Sequence, residues 1–299
     1  MTLVSAVIPA FNAAPFLADA IRSLLSQSRG PLEVIVIDDG SVDETAEIAA
    51  SFGPPVFCTT QKNRGMAASR NAGIAQARGK WIGFLDADDT WMPSKIEKQL
   101  ATLDAQPSRR VCYSKWLVVN SQLQPLLEQG TPPSGRAIED LLFTGNVVGS
   151  VCTGLVDAEL LRSIGGFDES LSHCADWDLW IRLARKTEFA YVSEALVTYR
   201  QHGANLSRQV PTLEKDSIKT LSKAFADAET PAELRKRAPA AMARNWMVLA
   251  GAYFQAGDWR QFVRCAGAAV AMNPAVATHI LMFPWRRLTG RSDWRRQFQ

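Results

Sequence analysis

Three short polar clusters, each at the end of an apolar run, hold the residues of this chain whose types and spacing suit chemistry. Ala10-Phe11-Asn12 follows Leu3–Pro9, Asp38-Asp39-Gly40 follows Leu32–Ile37, and Asp86-Ala87-Asp88-Asp89 follows Trp81–Leu85. Asp and Asn often do no more than punctuate turns. Three such clusters at one sheet edge point to a site. Asp86 and Asp88 stand one residue apart, so both carboxylates can approach one ligand assembly. Their hard oxygens suit Mg²⁺ or Mn²⁺, and a cation held there can bridge to a diphosphate. Other phosphate devices are absent. No Gly-x-Gly-x-x-Gly follows the first apolar run. Gly73…Gly79-Lys80-Trp81 has one residue too many between its glycines and Trp where Ser or Thr must sit.

The elements that must position these clusters alternate at short intervals. Leu3–Pro9 reads as a strand, and Asn12 as the N-cap of a helix carrying Phe16, Leu17, Ala20, Ile21, Leu24 and Leu25 at helical spacing. Leu32–Ile37 is a buried strand, and Ser41-Val42-Asp43-Glu44 a capping box opening a helix to about Ser51. Val56–Thr59, a helix over Ala67–Ala77, Trp81–Leu85 and a helix over about Ser94–Leu103 complete the alternation. Such βαβ units predict an α/β fold, a mostly parallel sheet flanked by helices, with ligands bound beyond the strands' carboxyl ends. The stretch 105–200 is mixed, with strands at Val111–Val119 and Phe189–Tyr199 and helices at Ala158–Ser163 and Asp176–Ala184. From Pro211 the pattern is helical. Trp246, Leu249, Tyr253 and Pro274 match one tetratricopeptide-like unit, read as a helix pair and at most a partial repeat.

Composition narrows the class. The chain has 299 residues, 47% hydrophobic and 21% charged, which excludes collagen-like, disulfide-scaffold and disordered readings. No apolar run reaches the ~18 residues of a membrane span, and the N-terminus lacks the basic region of a secretory signal. Cys58, Cys112, Cys152, Cys174 and Cys265 form no C-x-x-C pair and read as reduced thiols, Cys58, Cys112 and Cys152 in the core. The net charge of +3 is uneven: residues 235–299 carry eleven basic groups against Asp258 and Asp293, leaving −6 for residues 1–234. The acidic body argues against nucleic-acid binding.

Four segments together resemble the family 2 glycosyltransferases, inverting enzymes with the GT-A fold: Val7-Ile8-Pro9-Ala10-Phe11-Asn12, Val36-Ile37-Asp38-Asp39-Gly40-Ser41, Asn63-Arg64-Gly65…Ser69-Arg70-Asn71-Ala72-Gly73 and Phe84-Leu85-Asp86-Ala87-Asp88-Asp89. The resemblance covers about residues 3–205 and implies a Rossmann-like catalytic domain over 1–208. Its nucleotide-sugar half is 1–105 and its acceptor half 106–208, and a helical region with a basic tail follows over 209–299. It implies that Pro9, Ala10 and Phe11 line a nucleobase pocket, that Asp39 accepts from a base N–H as on uracil, and that Arg70 lies near the donor. Asp86 is implied to approach ribose or metal, and Asp88 to be the principal ligand of Mn²⁺ or Mg²⁺. For Asp38 and Asp43 the turn and helix-end roles are preferred.

Gly165-Gly166-Phe167-Asp168-Glu169…Ala175-Asp176-Trp177 resembles the family's acceptor-side segment, with Ala175 where a Glu is usual and Asp176 at the general-base position. A structural N-cap role for Asp176 stays open. Trp91, Trp177 and Trp180 can stack on sugar rings, or Trp180 can belong to the core; Asp178 and Arg182 suit a helix-face pair. Tyr199-Arg200-Gln201-His202 resembles the closing segment in which His202 completes the metal or diphosphate site. The implied partners are a nucleoside diphosphate sugar, UDP-linked, and a carbohydrate or lipid-linked acceptor in bacterial surface polysaccharide synthesis. The chain reads as cytoplasmic, and the Trp- and Arg-rich stretch 283–299 suggests peripheral contact with an anionic membrane at its inner face; a solvated tail is the alternative. Three competing functions remain: a donor-binding module without catalysis, a nucleotidyltransferase, for which a basic loop after the first strand is missing, and a helical-repeat adaptor confined to 211–299.

Overall fold

The structure, a computed structural model, describes residues 4–30, 32–201 and 209–278. These divide into two compact units, one taking residues up to 137 and 147–205, the other 138–146 and the residues from 206 on. In the first unit, β1 (Val4–Ala10), β2 (Leu32–Asp38), β3 (Val56–Thr60) and β4 (Trp81–Phe84) are joined by α1 (Ala14–Leu25), α2 (Thr45–Ser51) and α3 (Met66–Gln76). A helix in each connection returns the chain to the same edge, so these strands pair in parallel, in the order β3-β2-β1-β4. The order continues β8-β6-β9-β5. β8 (Leu155–Asp157) is antiparallel to β4 and β6 (Val111–Val119), and β9 (Phe189–Arg200) is parallel to β6. β5 (Thr90–Trp91) pairs β9, and β7 (Pro125–Gln129) pairs β6, both antiparallel. The strand–helix alternation predicts this α/β architecture, and α4 (Lys95–Ala105), α6 (Ala158–Ser163) and α7 (Ala175–Ala184) complete its helices.

All of β1 and six residues of β2 are buried, as expected of parallel strands covered on both faces. Gly73 lets α3 lie directly on β1, since a Cβ there would strike both methyls of Val7. The helix starts correct two local expectations. Asn12 is not the N-cap of α1: Ala13 is, and the cap comes from the next loop, with Ala13 N–H donating to Thr45 Oγ1 (2.8 Å) and Ala14 N–H to Asp43 Oδ2 (3.1 Å). Ser41 opens no capping box, because α2 begins at Thr45 with no side-chain cap. Tertiary neighbours supply the acceptors that local sequence was expected to provide.

In the second unit, α5 (Ala137–Phe143, of which Ala137 belongs to the first unit) is followed by α8 (Val210–Ala226), α9 (Ala232–Arg235), α10 (Ala238–Gln255) and α11 (Trp259–Met272). Leu249, Ala250 and Tyr253 of α10 pack against Cys265 and Ala266 of α11, with Trp246 and Phe262 at the margin. This is a helix pair, as the Trp246–Tyr253 pattern predicts. No helix among the described residues is long and apolar enough to cross a membrane.

Candidate active site

The parallel register brings the ends of β1 and β2 together: Ala10 lies opposite Asp38, and Asp39 N–H extends the ladder to Ala10 O at 2.8 Å. Pro9 and Ala10 are buried, while Phe11 stands out from the edge, 52% exposed. Asn12 takes a left-handed backbone (φ 49°); its N–H donates to Ser41 Oγ and its Oδ1 accepts from Val42 N–H, both at 2.9 Å. Asp38 is buried and accepts from the N–H of Ser41, three residues on (3.1 Å), which fixes the turn after β2. Asp43 feels burial that raises its pKa, but hydrogen bonds from Thr45 and Ala14 hold its carboxyl below the usual range.

Asp39 is buried and collects the next loop. Its Oδ1 accepts from Gln61 Nε2 (2.8 Å) and Arg64 N–H (2.9 Å), and its Oδ2 from Gly65 N–H (2.7 Å). Gly65, at φ 88°, is the N-cap of α3. The carboxylate that ends β2 therefore sets where α3 begins. A carboxylate offers about four acceptor sites. Three are in use here, which leaves one on Oδ2.

α3 then delivers Arg70 to the end of β4. Arg70 Nη2 donates to Asp86 Oδ1 at 2.6 Å, and its guanidinium carbon lies 5.4 Å from the centroid of the Phe167 ring. Burial works to discharge Arg70, but the negative charge of Asp86, and more weakly that of Asp176, outweighs it and the guanidinium stays protonated. The next residue clamps the acceptor-side loop. Asn71 Oδ1 accepts from Phe167 N–H (2.8 Å), and its Nδ2 donates to Phe167 O and Glu169 Oε1 (both 3.0 Å). Glu169 also pairs with Arg64 at 2.9 Å.

Asp86, Asp88 and Asp89 share the turn after β4, closed by Asp89 N–H donating to Asp86 O (3.0 Å). Asp88 is half-buried. Asp89 is buried; Oδ1 accepts from Arg200 N–H (3.0 Å) and Oδ2 from the Cys152 thiol (3.4 Å). The same sulfur accepts Asp86 N–H at 3.2 Å. Burial, then the charges of Asp88 and Asp86, push the Asp89 carboxyl well above the usual carboxylate range. Burial and the neighbouring Asp86 and Asp89 likewise raise the Cys152 thiol, so it stays protonated. Ligand atoms of Asp86, Asp89 and Cys152 lie within 4.8 Å of one another. Each oxygen of Asp89 nevertheless already accepts one bond, from Arg200 N–H or the Cys152 thiol, and the Cys152 sulfur accepts Asp86 N–H. The oxygens that suit a hard divalent cation are those of Asp88 and Asp86 Oδ2, and the crowding of negative charge is what such a cation would relieve.

Asp176 is half-buried in the first turn of α7, its Oδ1 accepting Trp177 N–H at 2.7 Å. Its negative charge also favours the protonated form of Arg70, less than that of Asp86 does. Trp177 is only 8% exposed. Trp91 and Trp180 are core residues: Trp91 Nε1–H donates to Cys152 O (3.1 Å), and Trp180 packs on Gly154, where a Cβ would strike its ring. Asp178 and Arg182 form the expected helix-face pair at 2.8 Å. His202 and the stretch 283–299 lie outside the described residues. Cys112 and Cys152 are buried as expected, whereas Cys58 is only half-buried. Sequence reasoning gives no role to Gln61, Asn71, Glu169 or Arg200 and reads Cys152 only as a core thiol, whereas Gln61 and Cys152 bond to Asp39 and Asp86 and the other three brace the loops around them. Asn71, Glu169 and Arg200 stand inside the quoted motifs, which is the signal that could have found them.

Comparison with known proteins bears on this arrangement. The model of the glycosyl transferase family 2 matches residues 5–162. An uncharacterized glycosyltransferase of Rickettsia prowazekii is 33% identical over 208 residues, 68% of this chain and 65% of its own length. The match thus spans a little under two thirds of that relative. The putative teichuronic acid biosynthesis glycosyltransferase TuaG of Bacillus subtilis is 29% identical over 66% of this chain and 79% of its own. Among solved structures, residues 1–349 of S. aureus TarS in complex with UDP-GlcNAc align with a TM-score of 0.59 at 17% identity, covering 89% of this chain and 91% of that one. The mannosyltransferase PcManGT of Pyrobaculum calidifontis, in complex with GDP-Man and Mn²⁺, aligns with a TM-score of 0.63 at 18% identity, over 98% of this chain and 85% of that one. At such identities the likeness is one of fold, the GT-A fold.

Proposed function

The chain belongs to glycosyl transferase family 2, and from that premise we propose that it transfers one sugar, with inversion, from a UDP-sugar to a hydroxyl of a carbohydrate or lipid-linked acceptor in bacterial surface polysaccharide synthesis. The observation that carries this reading is the convergence of Asp39, Arg70, Asp86 and Asp88 on one sheet edge, with Asp176 within electrostatic reach of Arg70.

In this proposal the nucleobase sits at Pro9, Ala10 and Phe11, and the remaining acceptor site of Asp39 Oδ2 takes its imide N–H. Asp88, with Asp86 Oδ2, would hold Mn²⁺ or Mg²⁺. Bound there, the cation supplies positive charge to the departing diphosphate. Arg70 keeps Asp86 in place and adds a buried positive charge beside it. Asp176 takes the proton of the acceptor hydroxyl as that oxygen attacks the anomeric carbon from the face opposite the leaving nucleotide. The chain works in the cytoplasm, with the arginine-rich stretch 283–299 as the segment for peripheral contact with anionic lipid at the inner face of the membrane.

A thermal-shift titration with UDP and GDP, each with and without Mn²⁺ or Mg²⁺, tests the donor half. A rise in Tm with UDP that requires the cation and is lost in Asp88→Asn is expected; an equal rise with GDP would refute the uracil assignment. Asp176→Asn tests the chemistry. It should keep the UDP-dependent shift and lose transfer by 10²-fold or more. Unchanged turnover would remove Asp176 as the base, and no turnover in the wild type would leave a donor-binding module.

A further inference from the structure

We infer that Gln61 sets the base preference of the donor pocket, favouring uracil over guanine by filling one oxygen of Asp39. The inference rests on the proposed reading of the base by Asp39 and deepens it. Gln61 directly follows β3, and its N–H donates to Asp38 O at 2.9 Å, so the β2–β3 ladder fixes its backbone beside Asp39. Its side-chain amide then spends both hydrogens of Nε2, one on Asp39 Oδ1 (2.8 Å) and one on Ser69 Oγ (3.2 Å). Ser69 is buried and donates its own hydrogen to Gly65 O (3.2 Å), so its oxygen is left to accept from the amide. Turned over, the amide would set Oε1 against the Asp39 carboxylate and meet no donor at Ser69. One orientation is therefore held from two sides.

The consequence lies in how many acceptor sites remain. Each carboxylate oxygen accepts about two hydrogen bonds. Oδ1 of Asp39 takes Gln61 Nε2 and Arg64 N–H and is full, whereas Oδ2, among the described residues, takes Gly65 N–H alone. Asp39 therefore meets a base with one open acceptor and not two. Uracil asks for one: its imide presents a single N–H between two carbonyl oxygens, and a second open carboxylate oxygen would face one of those carbonyls. Guanine presents two adjacent donors, the ring N–H and the exocyclic amine, which match a carboxylate with both oxygens open. Cytosine has no ring N–H on that edge, so an ionised carboxylate refuses it in either case. Of the three groups on Asp39, two are backbone N–H groups that any side chain would retain. Gln61 is thus the side chain through which the occupancy of Oδ1 can be changed.

The test is the ratio of the dissociation constants of UDP and GDP, measured by calorimetry on the full chain with Mn²⁺ present. Both nucleotides carry the same diphosphate, so whatever the metal and the phosphates contribute cancels in the ratio. Wild type should bind UDP the more tightly. Gln61→Met, similar in length and without a donor, should lower that preference about tenfold, by weakening UDP and tightening GDP, while CDP stays as weak as in wild type. Gln61→Leu differs in shape but lacks the same donor, and should move the ratio equally. Gln61 is half-buried at the sheet edge, so both variants should keep the fold, which their melting temperatures without nucleotide check. An unchanged ratio in both would overturn the role of Gln61 and leave Asp39 as the reader of uracil. A shift in one variant only, or a rise in CDP affinity that parallels GDP, would make Gln61 a packing residue and overturn the inference as well. Equal affinity of wild type for UDP and GDP would remove the uracil reading itself, and the inference with it.

Discussion

Arg70 and Asp86 form a 2.6 Å ion pair between α3 and the end of β4, and the arginine is the more deeply buried partner, 5% exposed in its side chain against 26%. The asymmetry decides what each group loses without the other. Asp86 retains water and a second oxygen, whereas Arg70 has nowhere else to place its charge, and its buried Nε already has no hydrogen-bond partner. Removing Asp86 would therefore strand a buried cation, while removing Arg70 would strand a carboxylate that can still be hydrated.

Asp86→Ala should accordingly destabilise the fold more than Arg70→Met does, by about 3 kcal/mol against about 1–2. Asp86→Asn should fall between, because Oδ1 still accepts from Nη2. Urea unfolding of the three variants at neutral pH gives the ranking. If Arg70→Met proved the costlier change, the packing of Arg70 on Phe167, and not the pair, would dominate.

Asn71 joins the donor-side helix to the acceptor-side loop through three hydrogen bonds to Phe167 and Glu169. Asn71→Asp keeps the acceptor for Phe167 N–H, removes both donors and sets a negative charge beside Glu169. The expected cost is about 1–3 kcal/mol, and amide hydrogen exchange across residues 165–171 should accelerate while that of β1 and β2 does not. Uniform acceleration would mean that the clamp holds the whole unit and not the loop.

The parallel half of the sheet was legible because its determinants are local: apolar runs of four to seven residues, three of them closed by Asp or Asn and all followed by a helical pattern. The same locality put Asp39, Asp86 and Asp88 at one edge without any knowledge of contacts. Helix starts were not legible in this way. Asn12 has the composition of an N-cap yet spends its side chain on Val42, and α1 is capped by Thr45 and Asp43, some thirty residues on. Cys152 was hidden for a related reason. Its apolar surroundings, Val147–Val156, fit a core thiol, and only the approach of the Asp86–Asp89 turn gives the sulfur two polar partners.

Those two partners make the Cys152 position testable by size and polarity. Cys152→Ser retains an acceptor for Asp86 N–H and a donor for Asp89 Oδ2, whereas Cys152→Val provides neither. The valine variant should lose about 1–3 kcal/mol and require about tenfold more Mn²⁺ for the UDP-dependent thermal shift; the serine variant should stay near wild type on the second measure. Equal Mn²⁺ requirement in all three would confine Cys152 to packing.

Lys95 gives the pH dependence its sign. It is fully buried in α4, its Nζ 4.0 Å from the centroid of the Trp91 ring, donating to Gln99 Oε1 (2.6 Å) and more weakly to Gly154 O (3.5 Å). Burial pushes its pKa down to about 7, against about 10.4 in an unfolded chain. Below pH 7 both states carry the proton and the folded state bears the full cost of a buried ammonium. As pH rises from 7 toward 10.4 the native lysine is already neutral while the unfolded one is not, so this group makes stability increase with pH, by at most about 1.4 kcal/mol per unit. The buried thiols act in the opposite sense once unfolded cysteine ionises near 8.5, since Cys112 is pushed up to about 12 in the fold. The informative window is therefore pH 7 to about 8.5, and the informative quantity is the difference between wild type and Lys95→Met. The variant should be the more stable at pH 7, despite the partner lost to Gln99, and its advantage should shrink as pH rises. Urea midpoints measured at intervals across that window check this. Parallel curves would mean that Lys95 remains charged in the folded protein, held by Gln99 and the Trp91 ring strongly enough to offset its desolvation.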